Sequence, residues 1–464
     1  MRKGNRLTIY IIIALVLGIA LGFILNETYV KEENTKLAAA ELRIAELNKS
    51  LNSITDTGSV QYAAFKKERA EQSTIKNQAL SERDKKTDPF SLLADIFLRL
   101  IKMIVAPLVF FTLVVGVAKL GDIKAVGRIG GKTLLWFISA SLVSLLLGMV
   151  LVNFFEPGIA MKLPLPDKGT DIGIAKSALT LRDFLYHVFP TSVVEAMAKN
   201  EILQIVVFSL FFGVATAAIG ETGHKIIKAF DAIAHVVLKV TGYVMNFAPI
   251  AVFGAMTAII AKQGVGILKT YSIFIGEFYF GLLLLWLILI LAGSVFVKKR
   301  IFRLLKRIKE PVLLAFSTSS SEAAFPKTML ELERFGCKDK IVSFVLPLGY
   351  SFNLDGSMMY MTFAALFIAQ SYGIHLDFGT QISMLLVLML TSKGIAGVPR
   401  ASLVVIAGTL ATFNIPEAGL ALLLGIDPLL DMGRSATNVV GNSIATAVVS
   451  KWEGELSDEQ PNLI

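Results

Sequence analysis

From Leu7 to Leu25 the chain reads LTIYIIIALVLGIALGFIL, without a single charge. About 20 such residues cross a bilayer as a helix. Lipid offers no partner for a free backbone N–H or C=O, so only helices and closed barrels span it. A barrel strand would alternate apolar and polar over about 10 residues, and this run does not. Composition agrees: 54% of the 464 residues are hydrophobic and 17% are charged, with a mean hydropathy of +0.66. Soluble chains carry about 25% charge. The chain is therefore expected to be an all-α polytopic membrane protein. The first run has the charged start of a signal peptide, but it is long for one and no small-residue cleavage site follows, so it is expected to stay as a first span.

The net charge of +9 is informative by location. MRKGNR at the start, Lys119 to Lys132 and the dense run KKRIFRLLKRIK (Lys298–Lys309, read as a loop) mark cytoplasmic sides. No soluble basic face suits nucleic acid. One cysteine, Cys337, rules out an internal disulfide. Four scattered histidines give no metal-ligand spacing, and no cofactor is expected.

The expected organisation is a first transmembrane helix over 1–25 and an extracellular insertion over 26–88. Scaffold and transport helices follow over 89–300, then a transport core over 301–456 and a cytoplasmic tail over 457–464. In the insertion, Leu37, Ala40, Ile44, Leu47, Leu51 and Ile54 keep a heptad rhythm. That fits a solvated helix and loop, or a hairpin touching its copies in an oligomer. Pro107 predicts a kink in the second span. The proline in APIAVFGAM (Ala248–Met256) predicts a break in a later one.

Beyond Glu310 the pattern becomes apolar half, polar tip, apolar half, and it occurs twice. Each time a helix with internal polar residues follows. The units are Pro311–Leu332 with Asp339–Ser371, and Thr380–Phe413 with Pro416–Lys451. Inverted repeats of broken helices are a transporter signature, because freed backbone ends can hold ions and substrate. The first tip, STSSSEAAFP, offers hydroxyls and a helix N-terminus suited to an anion. The second, TSKGIAGVPR, offers glycines for close backbone approach. Two surface loops are the plain alternative. In GYSFNLDGSMMYM, Asn353 and Asp355 lie at mid-span, where a carboxylate marks an ion or substrate path. Gly356 is expected to help that helix unwind. In the last helix Asp427, Asp431, Arg434, Ser435, Asn438 and Asn442 recur every three or four residues, on one face. Such a stripe can be helix–helix glue. Arg434 with Asp431 also suits an acidic amino acid: the guanidinium for a side-chain carboxylate, the aspartate for the ammonium. Asn438 and Ser435 could then bind its α-carboxylate or amino group. A nucleophile–base pair for an enzyme is missing, and a channel would not need a closing gate.

SSSE before a proline, NLDGS, SKGIAGVP and DMGRSATNVVGN together resemble the dicarboxylate/amino acid:cation symporter family. They occur in that family's order, and the resemblance covers nearly all the chain except Asn26–Lys86. It implies a homotrimer in the cell membrane, with both termini cytoplasmic. Each protomer would have eight transmembrane helices, two re-entrant hairpins and a transport domain that moves like an elevator, the second hairpin acting as gate. It places Arg434, Asp431, Ser435, Asn438, Ser357 and the tip residues Ser320, Ser321, Gly397 and Val398 around the substrate. Asn353, Asp355, Asn438 and Asn442, with Gly349 and Ser351 nearby, would serve the coupling ion. Asn442 stands where sodium-coupled members carry an aspartate, so protons are expected to drive uptake, with sodium as the rival. A C4-dicarboxylate carrier is a second rival, against which Asp431 argues. Ser319 and Met432 stand where an extra arginine is usual, whereas Arg400 and Glu322 sit at the two tips. Those two are expected to approach each other or the site, with Glu322 able to carry a proton.

Overall fold

The computed structural model describes residues 3–54, 59–120, 123–161, 165, 188–263, 271–392, 401–424 and 426–458. Among these the chain is helical throughout, apart from one isolated bridge between Cys337 and Leu456. Four helices are long and apolar enough to cross a membrane: Ile9–Thr28, Val60–Ala118, Lys124–Ala160 and Ser272–Val297. A fifth candidate is the pair Glu221–Met245 and Ala248–Lys262, bent by 50°. The expected eight spans are not all visible as long helices, because the remaining apolar segments are interrupted where polar residues enter them.

The first span is α1 (Lys3–Thr28) and the insertion begins with α2 (Lys31–Ser53). The next helix, α3 (Val60–Leu120), is 61 residues long and runs through Pro89 and Pro107 without interruption. The helix that carries the second span therefore starts inside the insertion, at Val60. The heptad residues of α2 face α3: Ala40, Leu47 and Leu51 are buried and Leu37, Ile44 and Ile54 half-buried. Arg43–Glu68 (2.7 Å), Lys76–Glu41 (2.9 Å) and Lys86–Glu33 (2.8 Å) tie the two helices along their length. The insertion is thus a helical hairpin closed on itself. Its hydrogen-bonded lysine holds Glu33 below the usual carboxylate range.

The chain continues with α4 (Ile123–Phe155), α5 (Ile202–Ala218), α6 (Glu221–Met245), α7 (Ala248–Gln263) and α8 (Ser272–Val297). The break expected from the proline of Ala248–Met256 falls at Asn246–Phe247 and puts Pro249 in the first turn of α7, where its missing N–H would have no partner in the helix. Helix α1 lies against α7 through Gly18 and Gly22. A Cβ at Gly18 would stand 2.8 Å from the Phe253 carbonyl oxygen, and one at Gly22 2.8 Å from that of Thr257. Small residues four apart permit such a crossing.

Packing sorts the helices into two groups. α1, α2, α3, α5, α6 and α7 contact one another, and so do α4, α8 and everything after it. The groups meet where α3 touches α4, Ser321–Phe335 and Asp339–Phe352, where α5 touches Asp339–Phe352, and where α1 and α7 touch Arg300–Thr318.

The first hairpin has longer arms than the expected Pro311–Leu332: α9 (Arg300–Thr318) and α10 (Ser321–Phe335). The basic run is helical from Arg300 on, because Ile301, Leu304 and Ile308 form a buried stripe one turn apart. Ser319 takes the left-handed conformation (φ 50°) at the tip, and Ser320 caps α10 by accepting from Ala323 N–H (3.2 Å). After α11 (Asp339–Phe352) and α12 (Asp355–Ser371), the second hairpin has arms α13 (Phe378–Thr391) and α14 (Ala401–Thr412). Its tip, with Gly397, Val398 and Arg400, lies outside the described residues, and so does any pairing of Arg400 with Glu322. The last helix is α15 (Asp427–Trp452). The tail does not simply leave at residue 457: Ser457 N–H donates to Gly336 O (2.9 Å) and Lys338 N–H to Glu455 O (3.2 Å).

Candidate substrate and cation site

α15 runs through the middle of the second group, packed by α8, α9, α10, α11 and α12. From Met432 to Ser450 every residue is buried. Its polar stripe therefore faces protein and not lipid.

At the upper end of the stripe sits Arg434, 2% exposed. Its Nη2 donates to Asp427 Oδ1 at 3.0 Å and lies 3.0 Å from Asp431 Oδ1. The guanidinium carbon stands 4.0 Å from the centre of the Tyr360 ring, and the Tyr360 hydroxyl donates to Asp427 (3.1 Å). A ring face attracts a desolvated cation, so Tyr360 and Asp427 together hold the guanidinium plane. Nε and Nη1 of Arg434 have no hydrogen-bond partner among the described residues. An unpaired buried donor is costly. The Asp431 side chain keeps 39% of its exposure. The arrangement can thus offer two guanidinium donors and one accessible carboxylate, a turn apart, to a small molecule.

Below it, α11 and α12 are one helix broken at Asn353–Leu354. Gly356 is not the point of unwinding. It lies in the first turn of α12, where a Cβ would come 2.6 Å from the Arg434 carbonyl oxygen. Its N–H donates to Asn438 Oδ1 (2.9 Å), while Asn438 Nδ2 donates to Ser357 Oγ (3.3 Å). Asn438 thereby joins the arginine end of the stripe to the break. Asp355 starts α12, where a carboxylate favours the helix dipole, and is fully buried. Asn353 Nδ2 donates both to Asp355 Oδ2 (2.9 Å) and to Asn442 Oδ1 (3.1 Å). A side chain at Gly441 would collide with Asp355, and one at Gly349 with Asn442. Ser351 Oγ, Asn353 Oδ1 and Asn442 Nδ2 are buried with no hydrogen-bond partner among the described residues. One carboxylate, several neutral oxygens and a helix break are the donor set for a proton or a hard cation. Ser435, also buried, lies one residue from Arg434 on the same helix.

At the first tip the serines make local contacts. The Ser320 hydroxyl is spent on its cap, and Ser319 Oγ donates to Pro428 O (3.4 Å). Ser321 and Glu322 are half-buried in the first turn of α10. Sequence reasoning also missed partners. Ser144 of α4 donates to Asp355 Oδ1 (3.5 Å), and Ser141 to the Phe352 carbonyl at the break (3.5 Å). Two serines three apart in an apolar span were the available signal. Asp427 had been placed on the stripe without a role, and Tyr360 not at all.

The model of one family, described as the sodium:dicarboxylate symporter family, matches residues 7–452. A C4-dicarboxylate transport protein of Rhizobium etli is 43% identical over 374 residues, covering 79% of this chain and 84% of its own length. A proton/sodium-glutamate symport protein of Geobacillus stearothermophilus is 43% identical over 377 residues, covering 79% of this chain and 89% of its own. A helical chain with broken, polar-lined segments and likeness of this extent is a secondary transporter, and it belongs to the sodium:dicarboxylate symporter family.

Proposed function

We propose that the protein imports glutamate or aspartate across the cell membrane together with protons. The observation that carries this reading is Arg434, with two unpartnered donors, one helical turn from the part-exposed carboxylate of Asp431. The substrate's side-chain carboxylate takes the guanidinium edge, and its ammonium takes Asp431. Asn438, Ser435 and Ser357 bind the remaining α-carboxylate or amine edge, with the two tips closing over it: Ser320 and Ser321 from one side, Gly397 and Val398 from the other.

The charge balance requires a symported cation. Asp427 and Asp431 already outnumber Arg434, and Asp355 adds a further carboxylate. An acidic amino acid brings more negative charge into a site sealed from water, where unpaired charge is costly. Asn353, Asp355 and Asn442, with Gly349 and Ser351, are the place for the compensating ion. Asn442 supplies a neutral oxygen, which favours a proton on Asp355 over a sodium ion. Glu322 is a second proton carrier, with Arg400 as its counter-charge when the gate shuts. Loaded with both ligands, α4 and α8–α15 move as a body against the other helices, in a homotrimer with both termini in the cytoplasm.

Uptake into vesicles under a proton gradient alone, and under a sodium gradient alone, tests the coupling; accumulation driven only by sodium would overturn it. The relatives named for C4-dicarboxylates support a second reading. Succinate would then compete with labelled aspartate as strongly as glutamate does. The amino-acid reading expects weak competition, because Asp431 repels a dicarboxylate that brings no ammonium.

A further inference from the structure

Away from the site, the first hairpin carries an ionic network that the transport reading does not use. Lys327 of α10 places its Nζ 3.2 Å from Glu310 Oε1 of α9 and 3.4 Å from Glu331 Oε1 of its own helix. Arg334 Nη1 donates to the same Glu331 oxygen at 2.7 Å. The side chains of Glu310, Lys327 and Glu331 are only 8%, 12% and 8% exposed. Glu310 and Lys327 lie about two turns from the tip on their respective arms, so the pair bridges the arms at matched height. Between this bridge and the tip, Ala315 and Ala324 of the two arms belong to one small apolar cluster with Val439. Both are fully buried and pack on Val439 of α15.

A buried ion pair adds little net stability, because desolvating its members costs about what their attraction returns. Its value lies in geometry: separating the partners inside a low-dielectric body is far more costly than separating alanines. We propose that the Glu310–Lys327 pair is a clamp that keeps the arms of the first hairpin together and so seals the Ala315–Ala324 seam beneath the tip. Lys327 is a positioning residue in this account. It acts on the substrate only through the tip serines, and that consequence rests on the functional reading above. The seal itself does not.

The test uses the full chain with Cys337→Ala, which removes its one native thiol, and Ala324→Cys as a probe in the seam. A membrane-impermeant maleimide is applied to each face of the membrane in turn, without substrate. Glu310→Gln cuts the cross-arm pair and leaves Lys327 beside Glu331. Lys327→Met with Glu310→Gln removes one charge of each sign. With the clamp intact the probe resists labelling. Either variant is expected to speed labelling from one face on the order of tenfold, the factor for 1.4 kcal/mol of lost restraint, while Lys327→Arg with Glu310 in place keeps protection. Labelling as slow in both variants as with the clamp intact, or equally fast in all forms, overturns the clamp. Since no substrate is present, a transport assay that fails for another reason leaves this result standing.

Discussion

The two hairpins are alike in outline and opposite in chemistry. The arms of the first, α9 and α10, hold a buried ion-pair network. Their base is bound as well: Arg300 Nη2 donates to the carbonyls of Phe335 (3.0 Å) and Ser457 (2.7 Å), and Lys340 pairs with Glu455. Just before that strap, Glu453 takes Arg128 at 2.8 Å and Lys132 at 2.7 Å. The arms of the second, α13 and α14, contain no charged residue. Its base is held by the Asp377 cap and by Asn153, which donates to Gln381 at 2.6 Å. Opening the first means parting charges. Among the described residues, opening the second parts apolar contacts and an exposed amide pair. That difference supports the proposal that the second hairpin is the gate.

The largest expected effect tests the floor on which both hairpins close. Arg434→Ala removes the charged donors and should lower uptake of acidic amino acids about 100-fold, the scale of a lost charge-assisted pair of hydrogen bonds. If uptake survives, the hairpins do not close over a common substrate site. Next, Asn442→Asp adds an anionic oxygen beside Asn353. Uptake by this variant should gain a sodium dependence of roughly tenfold, read in sodium-free against sodium-containing buffer. No change would move the coupling ion away from α15.

The two weaker variants set base against base. Glu453→Gln loosens the tie between α4 and the end of α15, next to the strap under the first hairpin, and should cost about 1–2 kcal/mol, seen as a lower melting temperature with transport kinetics little changed. Gln381→Ala should do the reverse: an unchanged melting temperature and a KM raised about twofold. Exchange of these two outcomes would break the contrast. The Glu453 tie also has a defined pH range. Hydrogen bonds from Arg128 and Lys132 hold Glu453 below the usual carboxylate range. Its stabilisation is therefore complete above the unfolded value and is lost as pH falls through the lower, folded one. A pH dependence of uptake between 5 and 8 must then come from elsewhere, and Glu453→Gln should leave that profile unaltered.

What the sequence disclosed follows from distance along the chain. The first tip was legible as a helix N-terminus behind a run of hydroxyls, because that pattern is local, but the cap that Ser320 gives to Ala323 N–H was not read from it. The polar face of α15 was legible because helical spacing is local. Ser144 and Asp355 are 211 residues apart, and Tyr360 and Asp427 are 67 apart, so no periodicity links them. The run Lys298–Lys309 misled for another reason. Charge density draws the eye to a loop, while the stripe of Ile301, Leu304 and Ile308 was the stronger signal. Within the insertion, the heptad rhythm announced a partner but not whose. Only the facing half of α3 answers that.

The uninterrupted course of α3 has a practical outcome. At 1.5 Å per residue, its 61 residues amount to about 90 Å, some three times the thickness of the hydrocarbon layer. One continuous helix thus joins the apolar packing of α1 and α7 to the α2 hairpin. A dye pair or an antibody fragment fixed there would report, in single particles, whether the other helix group travels relative to it.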